Sequence, residues 1–117
     1  MAKRSQVKGR NAEKELCRLL NDYGYAVNVG HALNFGTEPD LIGLQGIHIE
    51  SKRCEQLRLA EWMKQAVNDS EKFHDGLPAV FHRKSREDWM VSMRLSDWIK
   101  LYEKYIHDDM GSDSDMA

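Results

Sequence analysis

The segment Asp40-Leu41-Ile42-Gly43-Leu44-Gln45-Gly46-Ile47-His48-Ile49-Glu50-Ser51-Lys52 constrains this chain more than any other. Two apolar runs flank a glycine-bearing turn near Gln45-Gly46, the pattern of a β-hairpin. With the turn centred near position 45, Asp40 and Glu50 face each other at the hairpin's open end. Alternation along the second strand puts His48, Glu50 and Lys52 on one face and Ile47, Ile49 and Ser51 on the other. Two carboxylates on neighbouring strands repel, so the pair calls for a proton or a cation. Mg2+ meets that need with oxygen ligands, here Asp40, Glu50, the backbone carbonyl of Ser51 and a phosphate oxygen, and Mn2+ is a possible substitute. Such an ion polarises a phosphodiester and acidifies a bound water. Lys52 would orient that water or stabilise the charge that builds on phosphorus. Taken singly, an Asp after Pro is commonly a turn residue and a Glu-x-Lys commonly an exposed strand edge. Their convergence at one end of an otherwise apolar hairpin is what points to a site.

Around this hairpin the pattern predicts a mixed sheet covered by helices, in the order α-β-β-β-α-β-β-α. A helix from about Ser5 to Tyr23 follows from the spacing of Ala12, Leu16, Leu19, Leu20 and Tyr23, and Gly24 ends it. Tyr25 to Val29 favours a strand, and Asn34 to Pro39 is a loop. Helical spacing returns from Leu57 to Phe73 and is broken by Asp75-Gly76-Leu77-Pro78. Ala79 to His82 and Trp89 to Met93 form a second strand pair around the charged turn Arg83 to Asp88. A last helix starts with Ser96 as N-cap and runs to about Tyr105.

The 117 residues fit one domain, taken as residues 1–106, followed by an acidic tail, 107–117, expected to lack fixed structure. Four of the 19 acidic residues lie in that tail, leaving 15 against 17 Lys and Arg, so the body is mildly basic despite a net charge of -2. Basic residues cluster at Lys3, Arg4, Lys8 and Arg10 and again at Arg83, Lys84 and Arg86, which suits a phosphate backbone as well as a solvated surface. No apolar run is long enough to span a bilayer, and no secretory signal is evident, so a cytosolic protein is expected. Cys17 and Cys54 lack a CxxC partner and read as ordinary thiols. The histidines have no metal-ligand spacing. His48, although on the Glu50 face, reads as packed or solvated, and Trp62, Trp89 and Trp98 as core or dimer-interface residues.

Pro39-Asp40 followed by Glu50-Ser51-Lys52 resembles the PD-(D/E)xK nuclease superfamily, and Lys8-Gly9-Arg10-Asn11-Ala12-Glu13 is similar to the first helix of Holliday junction resolvases of archaeal and phage type. The resemblance covers about residues 7 to 105. It implies a restriction-endonuclease-like α/β (α+β) fold and a metal-dependent endonuclease in which Asp40 and Glu50 bind metal and Lys52 assists the attacking water. It also implies Glu13 as a further acidic ligand or its support, although helical geometry alone leaves Glu13 and Glu15 equally placed, and it puts Gln65 in a region that faces the metal. The partners it implies are four-way DNA junctions and a second copy of the chain, since cutting two opposed strands needs two sites about a two-fold axis. Duplex ends or flaps as substrate, or a non-catalytic DNA-binding module, are the other readings. The cytosol would be that of a bacterium or a phage-infected host.

Overall fold

The computed structural model describes the backbone of residues 2–30 and 39–116 and the side chains of residues 11–30 and 39–108. The elements are α1 (Ala2–Asp22), β1 (Asn28–Val29), β2 (Leu41–Ile42), β3 (Ile47–Arg53), α2 (Leu59–Phe73), β4 (Leu77–Arg83), β5 (Met90–Met93) and α3 (Leu95–Met116). Their order is the predicted one. The five strands form one sheet in sequence order, antiparallel except for the β3–β4 pair, which is parallel and crosses over through α2. Leu41 pairs with Ile49, so the β2–β3 hairpin is symmetric about position 45 as the sequence predicts. The Leu44 carbonyl accepts from the Ile47 N–H to close its turn.

The sheet is covered on both faces, and alternation decides which residue meets which helix. Ile49 on β3 and Ala79 and Phe81 on β4 pack with Leu16 of α1, together with Val27 and Leu41. Val80, from the other face of β4, packs with Trp62 and Ala66 of α2. Ile49, Ala66 and Val80 are wholly excluded from solvent. Full burial of a side chain the size of Ile49 contributes about 1.5–3 kcal/mol.

The connections are tied by specific hydrogen bonds. The side chain of Asn21 accepts from the Val27 N–H (2.6 Å) and donates to the Val27 carbonyl (3.0 Å), standing in for a strand neighbour. The Gly30 N–H donates to the Asp40 carbonyl at 3.0 Å, which ties the residue after β1 to the residue before β2. After α2, the Leu77 N–H reaches the Gly46 carbonyl at 2.8 Å, docking the start of β4 on the hairpin turn.

At the C-terminal end the structure departs from the pattern. Ser96 lies inside α3, which begins at Leu95, and the Arg94 carbonyl accepts from Asp97 and Trp98 N–H groups. The helical backbone continues through the acidic segment to Met116, where no proline interrupts it.

Gly76 has φ +130°, and a Cβ there would overlap the Gly46 carbonyl on which β4 docks. Gly76→Ala is therefore expected to destabilise the fold by more than about 1 kcal/mol. Urea denaturation at constant m-value would measure it, and an unchanged midpoint would contradict this role for the turn.

Candidate metal centre

Glu50, only 2% exposed, lies on the α2 face of β3, the middle strand of the sheet. His48, two residues earlier on the same face, is 1% exposed, and its Nε2 is 3.4 Å from Glu50 Oε1. The other ring nitrogen of His48, Nδ1, lies 2.8 Å from Asp75 Oδ2, just beyond the end of α2, and Phe73 stacks on the ring. Asp69, half-buried on α2, completes a cluster: ligand atoms of His48, Glu50 and Asp69 all lie within 4.8 Å of one another. Donors on opposite sides of a divalent ion with bonds of about 2.0–2.3 Å are separated by roughly 4–4.6 Å, so a side-chain shift of a few tenths of an ångström at most lets one ion reach all three.

The electrostatics point the same way. Burial raises the Glu50 carboxyl above its ordinary range; the His48 hydrogen bond opposes this, the charges of Asp40 and Asp69 add to it, and that of Lys52 opposes it. Burial works to lower the His48 imidazole, but its bonds to Glu50 and Asp75 and the charges of both carboxylates outweigh burial and raise it. A buried carboxylate surrounded by others is stable as an anion when a cation sits among them. The donor set therefore fits a divalent metal ion.

Lys52 follows Glu50 on the same face. Its Nζ donates to Gln65 Oε1 at 2.9 Å and lies 3.7 Å from Glu50 Oε2. The structure thus joins Glu50, Lys52 and Gln65, and Asp40 reaches Glu50 through its charge. Ser51 is buried on the opposite face of the strand from Glu50. Glu13 is buried on α1, outside the His48, Glu50 and Asp69 cluster. Glu15 is engaged elsewhere: it accepts from Arg83, from Trp89 Nε1 at 2.9 Å and from Arg53 at 3.4 Å. Arg83 is thereby turned to an internal ion pair, whereas Lys84 and Arg86 are exposed on the β4–β5 loop. The side chains of Lys3, Arg4, Lys8 and Arg10, and the Thr37-Glu38 approach to Asp40, lie outside the described residues.

Sequence reasoning did not find His48, Asp69 or Asp75 as a unit. Alternation had put His48 beside Glu50, but Asp69 and Asp75 come from the helix and the turn that follow, and only the packing of α2 on β3 brings them in.

His82 also faces α2, its ring centre 6.1 Å from that of Trp62 and its Nε2 2.8 Å from Ser92 Oγ. Burial lowers its pKa from the ordinary 6.5. The unfolded chain therefore takes up a proton below pH 6.5 that the folded one resists, and this contribution to stability is present above 6.5 and lost as pH falls. His82→Gln should lose less stability than wild type between pH 7.5 and 5.5 in urea titrations, and parallel losses would refute this.

No protein-family model and no curated protein matches the chain by sequence. Among solved structures it is similar to Hjc, a Holliday junction resolvase from the archaeal hyperthermophile Archaeoglobus fulgidus, with a TM-score of 0.54 and 24% identity over 72% of this chain and 70% of that one. The mixed five-stranded sheet with its three helices has the fold of that protein.

Proposed function

We propose that this chain is a metal-dependent endonuclease that hydrolyses phosphodiester bonds in branched DNA, with four-way junctions as substrate. The observation that carries this reading is the buried Glu50 beside Lys52, under the charge of Asp40, on the middle strand of a resolvase fold. Asp40 and Glu50 would hold the ion, with Glu13 and the Ser51 carbonyl as further candidates. Bound there, Mg2+ or Mn2+ would supply a polarised phosphoryl oxygen and a more acidic water. Gln65 holds Lys52 by one of its three N–H donors, which leaves the others to meet a phosphate oxygen as charge develops on it. Lys84 and Arg86, with the basic residues of α1, would bind the sugar-phosphate backbone and so read shape more than sequence.

A homodimer fits the same reading. Leu95, Trp98, Ile99, Tyr102, Tyr105 and Ile106 recur at spacings of three and four along α3, and all are exposed. A run of large apolar residues on one helix face is the signature of an association surface. A second copy placed about a two-fold axis would pair the two α3 helices and cover this face.

The deciding experiment is cleavage of a labelled four-way junction beside a linear duplex, with and without Mg2+. Lys52→Ala should lower the junction-cleavage rate about 10²–10³-fold, and Asp40→Asn should abolish cleavage. No cutting of any DNA by wild type would remove the nuclease, and equal cutting of both substrates would remove the junction preference. In sedimentation experiments, Tyr102→Glu should shift wild-type dimers to monomers. A wild type that is monomeric at micromolar concentration would exclude the paired helices.

A further inference from the structure

Oxygen ligands for Mg2+ account for Asp40 and Glu50 but not for the histidine packed against Glu50. His48 is as buried as Glu50, and its two ring nitrogens have different surroundings. Nδ1 meets both oxygens of Asp75, at 2.8 and 3.0 Å, while Nε2 is turned toward Glu50 Oε1 at 3.4 Å. A carboxylate on one nitrogen fixes the tautomer and ring orientation and makes the other nitrogen a better ligand, the arrangement found behind metal-binding histidines. Asp69 brings a second carboxylate to the same point from α2.

We propose that His48 Nε2, Glu50 and Asp69 form a mixed nitrogen–oxygen site for a first-row transition ion such as Mn2+, with Asp75 as the residue that positions His48. The site rests on the nuclease reading only for its use and not for its existence. Glu50 belongs both to this site and to the Asp40 side, so the nitrogen ligand changes which ion the centre prefers. Imidazole favours transition ions over Mg2+, whose shell is built from oxygen. His48 itself lies too deep to contact DNA. Asp75 holds Nδ1, so Nε2, turned toward Glu50, is the ring nitrogen placed to meet an ion.

The test is Mn2+ binding to the tag-free full chain, followed by electron paramagnetic resonance of free Mn2+, with pulsed measurements for coupling to directly bonded 14N. Wild type should bind Mn2+ and show that coupling. His48→Gln should abolish the coupling and weaken binding at least about tenfold, and Asp75→Asn should weaken it about 10–100-fold. Bound Mn2+ without nitrogen coupling, a coupling that survives in His48→Gln, or no Mn2+ binding at all would each overturn the proposal. If circular dichroism shows that His48→Gln does not fold, the half-buried Asp69→Asn replaces it. Weaker Mn2+ binding in that variant supports the site, and unchanged affinity overturns it. Nitrogen-coupled Mn2+ in a protein that cuts no DNA would keep this site and remove the nuclease. Cleavage with Mg2+ and no nitrogen coupling would do the reverse.

Discussion

A carboxylate buried on the middle strand of the sheet is the constraint around which this structure is arranged. Glu50 could have faced solvent at the end of a short hairpin; instead α2 closes over it, and an ionised carboxylate there must be compensated. The surroundings supply what is needed in part. His48 bonds to it, Lys52 stands 3.7 Å away, and Asp40 and Asp69 add negative charge that those two partners offset incompletely. An arrangement of this kind costs stability, and a cation bound among these groups would offset that cost.

The two faces of the sheet divide the labour. On the α1 side β3 contributes Ile49 to the main core, and its end residue Arg53 shares Glu15 with Arg83, its register partner on β4. That network fastens the first helix to the parallel strand pair without touching the candidate metal centre. On the α2 side the same strand presents His48, Glu50 and Lys52 in succession, and α2 answers with Gln65 and Asp69 one helical turn apart. The parallel β3–β4 pair requires a crossover, and the helix that makes the crossover is the one that completes the site.

Much of this was legible in the sequence. The hairpin register, the segregation of His48, Glu50 and Lys52 from Ile49, and the order of all eight elements follow from local periodicity and turn residues, which act over a few positions. The resemblance put Gln65 in a region facing the metal, but its hydrogen bond to Lys52 joins a helix to a strand and is written in no local pattern. His48 was visible as a neighbour of Glu50 but not as its partner, since a strand histidine shows nothing of the Asp75 that will orient it. Arg83, one of a basic cluster in the sequence, is turned inward by Glu15, an acid 68 positions away. The last helix ran past its expected end because acidic composition alone does not stop a helix in which no proline intervenes.

The sequence by itself determined the hairpin from Asp40 to Lys52 and the face on which its charged residues lie, because a strand's two-residue period leaves no other arrangement once one face is buried. The tertiary structure alone decided what that face would meet. Packing α2 across β3 brought Gln65, Asp69 and Asp75 to Lys52, Glu50 and His48, a convergence of residues 13 to 27 positions apart that no local pattern encodes.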